Sequence, residues 1–153
     1  MIRLLLGVSM LIVCTLIGKQ KALKLKNGYL YFSSLRAFCK NYESNLIYGK
    51  KEIKTFINEE YSSTYFTSTL KSFIENDKLN LPDFLSSKES SDVSEFFNFL
   101  GVSDSASQLI TVKSFYNTFL EYEKDKNESY KKSYSAYLKI GFSIGLMLLL
   151  VVI

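Results

Sequence analysis

SASQLITVKSFYNTFLEYEKDKNESYKKSYSAYLKIGFSIGLMLLLVVI, residues 105–153, is a helix signal that nothing interrupts. Leu109, Val112, Tyr116 and Phe119 recur at helical spacing, and Tyr130, Tyr134 and Tyr137 continue the stripe. The middle, EYEKDKNE at 121–128, is a solvated face with local charge pairs. Ser105 and Gln108 have capping-box spacing and open the helix. Residues 141–153 contain no charge and one hydroxyl, so this end is apolar all round and has no solvent face. One nearly continuous helix of about 70 Å is expected, passing from a folded body into a membrane segment at 137–153.

A second apolar segment, IRLLLGVSMLIVCTLIG, occupies residues 2–18. Each segment is about 25 Å long as a helix, against roughly 20 apolar residues for a full span and about 17 as the lower limit. Local thinning of the bilayer and snorkelling of Arg3 and Lys139 accommodate short spans. Burial of both segments in a soluble core is the weaker reading, because 141–153 lacks a polar face. A cleaved signal peptide fits Arg3 and the apolar run. It does not fit the exit, where no small-x-small site precedes KQKALKLK, a stop-transfer flank. Val13 before Cys14 argues against a lipoprotein site. The segment reads as a retained anchor.

Lysines collar both segments: Lys19, Lys21, Lys24 and Lys26 after the first, Lys131, Lys132 and Lys139 around the start of the second. All 15 acidic residues lie between Glu43 and Glu128, and residues 27–130 hold only 11 basic ones. The formal charge of +4 therefore belongs to the collars, and the body is mildly acidic. By the positive-inside rule the body faces the cytosol and both termini the far side. Each collar lysine gains about 1 kcal/mol against an anionic leaflet. The partner of this basic excess is the lipid bilayer; nucleic acid would need a basic face on the body itself. Cys14 and Cys39 read as small buried apolar residues, unpaired in a cytosolic body.

The body, 27–136, reads as all-α, a helical bundle between the two short terminal membrane helices 2–18 and 137–153. A first helix over 29–48 carries Leu35, Phe38, Tyr42 and Leu46, with Phe32 and Ile47, and ends at Gly49. Short helices follow over 53–60 and 63–76, then a helical turn over 81–87 opened by Pro82. SSKESSD at 86–92 reads as an exposed loop, after which Asp92 and Glu95 start a helix that Gly101 ends. Tyr29, Tyr31 and Tyr137 sit where an interfacial aromatic belt would be. Gly141 and Gly145 form a small-xxx-small face able to pack the two anchors together or against partners.

The chain has no histidine, no glycine-rich phosphate loop and no cysteine cluster. It thus lacks the commonest acid–base residue, a P-loop and a zinc motif. Glu59 and Glu60 are adjacent, and neighbours on a helix point in different directions. No catalytic, cofactor or metal residues are expected, and the chain reads as not an enzyme.

A more specific pattern lies in FFNFLGVSDSASQ at 96–108, in YLKIGFSIGLMLLLVVI at 137–153, and in an N-terminal anchor followed by Leu35, Glu43, Leu46, Ile47, Tyr48 and Gly49. Together these resemble the stage III sporulation protein AB family over its whole length. Leu100, Gly101, Asp104 and Gln108 carry the match, while Lys50, Lys51 and Glu52 stand where the family has proline and leucine. The resemblance implies a helical cytosolic domain similar to those of type II secretion and type IV pilus platform proteins. It implies a place on the mother-cell side, in the outer forespore membrane, within the channel complex of endospore formation. Implied partners are the stage III sporulation protein AA-type ATPase and the complex's other membrane proteins; no catalytic residue is carried over. The motor-facing patch is expected to be acidic and membrane-distal, at Glu43, Glu52, Glu59 and Glu60. For the turn at 100–108 a structural role comes first, with Gly101 as C-cap and Gln108 as capping partner. The alternative is a membrane-tethered sensor or regulatory protein with a ligand-responsive helical domain.

Overall fold

The computed structural model describes every residue except Met1, Lys50, Lys51, Asp77, Ser103 and Ile153, and, within its helices, all side chains except those of residues 2–7, 10, 53, 57, 58, 149, 151 and 152. The order is α1 (Ile2–Tyr48), a 3₁₀ helix (Ile53–Asn58), α2 (Thr64–Asn76), α3 (Ser87–Phe99) and α4 (Ser105–Val152). Every regular element among the described residues is helical, and the protein is all-α. The chain divides into two compact units: Asn27–Lys124, and Met1–Lys26 with Asp125–Ile153.

α4 runs without a break over 48 residues, as its unbroken period requires. α1 is also a single helix, of 47 residues, where two pieces were expected. The joining stretch, KQKALKLKNG at 19–28, looked like a flank because of its charges. Lysine, glutamine, alanine and leucine are all good helix formers, and the helix continues through Asn27 and Gly28 although neither favours it.

In the Asn27–Lys124 unit, α1 presents Tyr31, Phe32, Leu35, Phe38, Cys39 and Tyr42 to a core completed by Phe56, Phe66, Leu70, Val93, Phe96, Phe97, Leu100, Val112 and Phe119. Phe38 is its centre. Its ring meets those of Tyr42, Phe56, Phe66, Phe96 and Phe97 at centroid distances of 5.5 to 6.4 Å. Each such ring pair adds about 0.5–1.5 kcal/mol to the area it buries. Tyr31, expected at a membrane interface, is fully buried in this core, edge-on to Phe32, Phe66 and Phe84. It falls on the same helical face as Leu35, Phe38 and Tyr42, which decides its place. Ile47 lies off that face and is exposed.

The helix starts differ from expectation in an instructive way. α3 begins at Ser87, not Asp92, because Ser86 and Glu89 form the capping box: Ser86 Oγ accepts from the Glu89 N–H, and Glu89 Oε2 accepts from the Ser86 N–H at 2.7 Å. The expected exposed loop is thus mostly the first turns of a helix. The helical turn expected around Pro82 is a single turn, closed by Leu85 N–H to Pro82 O at 3.3 Å. The expected helix over 53–60 is the shorter 3₁₀ helix. At α4, Asp104 rather than Ser105 caps the start, its Oδ2 accepting from the Ala106 and Ser107 N–H groups at 3.2 Å each. Gln108 instead turns inward, and the buried Tyr42 hydroxyl donates to its Oε1 at 2.5 Å. Gly101 follows the α3 C-cap Leu100 with φ of 78°, a left-handed conformation that glycine adopts without steric cost.

Polar ties close the body. Arg36 Nε stands 2.6 Å from Glu123 Oε2, and its guanidinium lies 5.8 Å from the Tyr116 ring centre. The Tyr122 hydroxyl donates to Asp92 Oδ2 at 2.6 Å. Ser34 Oγ accepts from the Ser63 N–H at 3.0 Å, which seats the start of α2 against α1.

Two outcomes follow from this core. Truncating Phe38 to alanine costs about 3–5 kcal/mol, read as a lower denaturation midpoint of the full chain in detergent. Tyr48→Ala, at a position 88% exposed, leaves the midpoint within about 0.5 kcal/mol. Equal effects would mean that Phe38 is not the packing centre.

Alkali should unfold the body. Burial pushes the Tyr31 phenol up to about 12 and raises Tyr42. Desolvation and the adjacent Glu59 raise Tyr61, and desolvation with Asp92 raises Tyr122. The ordinary value is about 10, so the folded chain holds these protons more tightly than the unfolded one. Their contribution is whole below about pH 10 and is lost as pH climbs through the folded values. Phenolate absorbance from these residues should therefore appear with unfolding; ionisation near pH 10 in a still-folded chain would contradict the burial.

Candidate functional site

The unit made of Met1–Lys26 and Asp125–Ile153 pairs the start of α1 with the end of α4, backbone against backbone. A Cβ added at Gly18 would stand 2.6 Å from the Tyr137 carbonyl oxygen and 3.5 Å from the Gly141 Cα. At Gly141 it would stand 2.9 Å from the Cys14 carbonyl oxygen, and at Gly145 2.9 Å from the Leu11 Cα. Rising numbers on one helix meet falling numbers on the other, so the arms are antiparallel. Gly18, Gly141 and Gly145 are buried, and so is Ala22, one turn beyond Gly18.

The large apolar side chains take the other direction. On α1, Val8, Ile12, Val13, Leu16 and Ile17 are exposed. On α4, Ile140, Phe142, Ile144, Leu146, Met147 and Leu150 are exposed, Met147 to 71%. Thr15 satisfies its own hydroxyl by donating to the Leu11 carbonyl at 2.8 Å within the helix. Beyond this band the exposed positions turn basic: Lys19, Lys21, Lys24 and Lys26 on α1, and Lys131, Lys132 and Lys139 on α4. Lys132 pairs with Glu128 at 2.5 Å, and that bond holds the Glu128 carboxyl below its usual range.

Among the described residues no helix is long and apolar enough to cross a membrane. The expected spans 2–18 and 137–153 both draw on residues 2–7, 10, 149 and 151–153, whose side chains lie outside the described ones.

In the other unit the four candidate docking acids have different surroundings. Glu43 faces α4 and pairs with Lys113 at 3.4 Å. Glu59 accepts from Asn41 Nδ2 at 2.7 Å and from the Tyr61 hydroxyl at 3.2 Å. Glu52 precedes the 3₁₀ helix and Glu60 follows it, both exposed. Glu59 forms part of an open cleft of about 320 Å³ with Asn41, Ser44, Asn45, Tyr48, Gly49 and Phe56. Gly101, Asp104 and Gln108 serve as helix stop, helix cap and core hydrogen-bond partner. No group of three or more histidine, cysteine or acidic side chains among the described residues is placed to hold a metal ion.

Comparison of the chain with family models, curated proteins and solved structures finds no match. The functional reading therefore rests on the geometry and on the motifs above. Two features escaped the sequence reading. Gly18 was taken only as the end of an apolar run; the spacing Gly18-xxx-Ala22 was the available signal. The Arg36–Glu123 ion pair joins residues 87 positions apart and leaves no local trace.

The glycine contact sets a direct expectation. Gly141→Leu must push the arms apart and costs about 1–3 kcal/mol as overpacking. Ile140→Leu at the neighbouring exposed position costs less than about 0.5 kcal/mol. Thermal melting of the full chain in detergent checks both; equal melting of the two variants would mean that the arms do not meet at these glycines.

Proposed function

We propose that this chain is a membrane-anchored scaffold: its paired apolar arms enter a bilayer and its helical body stands on the lysine-collared side. One observation carries the reading. The arms turn glycine backbone toward each other and large apolar side chains outward, the reverse of a helix pair that buries its side chains against water. Exposed apolar surface on this scale marks a membrane or protein interface. The collar lysines favour the cytosolic, anionic side, which puts the body in the cytosol and both termini on the far side.

The resemblance to the stage III sporulation protein AB family supports a more particular role. In that role the protein is a platform on the mother-cell side of the mother cell–forespore channel complex, in the outer forespore membrane. It docks the stage III sporulation protein AA-type ATPase and neighbours the complex's other membrane proteins. Glu52, Glu59 and Glu60 are the docking acids to test; Glu43, paired with Lys113, is the weakest of the four. The body acts as a binding module rather than an enzyme. The cleft beside Glu59, where amide, hydroxyl and carboxylate groups converge, favours a second reading, a tethered sensor with a ligand-responsive body.

Topology tests the scaffold reading. With Cys14 and Cys39 replaced by alanine, a cysteine at the exposed position Lys88 is treated with a membrane-impermeant thiol reagent. The expected result is a protein in the membrane fraction that is labelled only after lysis. Labelling in intact cells would place the body outside and remove ATPase docking.

A further inference from the structure

On one side of the glycine contact lies an open groove of about 310 Å³, walled by Ile17, Gly18, Lys21, Tyr137, Ile140 and Ile144. That is the lower end of the range for small-ligand sites, about 300–1,000 Å³. Gly18 and Gly141 form its floor, where the two backbones meet. Its lining is ordered along the arms. Lys21 and Tyr137 lie toward the collar, one turn from Gly18 and Gly141 respectively. Ile17 and Ile140 come next, and Ile144 lies a further turn toward the chain ends. A cation and a phenol stand at one end, and the rest is apolar.

We propose that this groove holds one anionic phospholipid, an inference that rests on the membrane reading above. The phosphate would lie against the Lys21 ammonium and the Tyr137 phenol, and one acyl chain would run over Gly18 and Gly141 between Ile17, Ile140 and Ile144. Charge complementarity selects the occupant. The groove's head end lies within a collar that also exposes Lys19 and Lys139, and basic pockets between membrane helices on the cytoplasmic side take acidic headgroups. The apolar remainder excludes a free phosphate ion, which would leave most of the groove empty. It also separates this site from the diffuse attraction of the collar; the cleft beside Lys132 is lined by Asp125 and Glu128, whose carboxylates would repel a phosphate.

The test is native mass spectrometry of the full chain released from phosphatidylcholine vesicles with and without phosphatidylglycerol. The expected result is one retained phosphatidylglycerol per chain. Lys21→Ala lowers its retention about fivefold, the equivalent of about 1 kcal/mol for one lysine near the surface. Ile140→Trp, which fills the groove and keeps every lysine, also lowers it, while Lys24→Ala leaves it unchanged. Equal losses from Lys21→Ala and Lys24→Ala, with Ile140→Trp like the parent, would overturn the groove and leave only a diffuse collar. Displacement of the retained phosphatidylglycerol by inorganic phosphate alone would overturn the lipid as occupant. Entry into both vesicles with no lipid preference overturns the groove alone; failure to enter either overturns the membrane reading as well.

Discussion

Where α1 and α4 pair near the chain ends, backbone has to meet backbone. A Cβ at Gly18 would stand 2.6 Å from a carbonyl oxygen, inside any tolerable contact, so no larger residue can hold this spacing without moving a helix. Once the meeting surface is glycine, the leucines, isoleucines, valines and phenylalanine of both arms have nowhere to go but out. In water such a pair would gain little, because the apolar area it leaves exposed is the area whose burial drives folding. In lipid the balance reverses: tails are as apolar as leucine, and close van der Waals approach of small residues decides association. The packing of the arms and the proposed environment are therefore one statement.

The body follows the opposite rule. Phe38 and its neighbouring rings take the apolar surface inside, and fully burying one such side chain is worth roughly 1.5–3 kcal/mol. Several of the polar groups that follow are individually answered: Tyr42 by Gln108, Tyr122 by Asp92, Ser34 by the start of α2. Arg36 and Glu123 form an ion pair whose members are only partly exposed and which leans on the Tyr116 ring. Residues that carry the family resemblance have work inside this fold. Gly101 supplies the positive φ that ends α3, Asp104 caps α4, and Gln108 anchors Tyr42. They explain why such a pattern suits a helical body of this kind and leave the proposed docking role to be tested at the acids around the 3₁₀ helix.

Much of the fold was legible because its strongest signals are long and periodic. The all-α class, the uninterrupted helix from Ser105, the Leu35–Phe38–Tyr42 stripe and the stop at Gly101 follow from spacing and from glycine's conformational freedom. What was not legible depended on choosing between equivalent local signals or on contacts distant in sequence. Ser86/Glu89 and Asp92/Glu95 have the same spacing, and the structure forms the capping box at Ser86 and Glu89, with Glu89 buried. Ser105/Gln108 has the spacing of a capping box, yet the buried Tyr42 hydroxyl claims Gln108 and leaves the cap to Asp104. Tyr31 has the composition of an interface residue and the register of a core residue, and register prevails. Among the site residues, Gly141 and Gly145 were legible as a small-residue face; that they meet Gly18 and Leu11 required the antiparallel pairing that only the structure provides.

Accessibility at the outward face of the arms tests the central claim most directly. Single spin labels are placed at Met147 and at Ile12 in a chain with Cys14 and Cys39 replaced, reconstituted in phospholipid vesicles. The account predicts relaxation by oxygen, which concentrates in lipid, and protection from a water-soluble nickel chelate at both sites. Strong relaxation by the chelate at both sites would show that the arms lie in water, and a membrane scaffold would no longer be the function to propose.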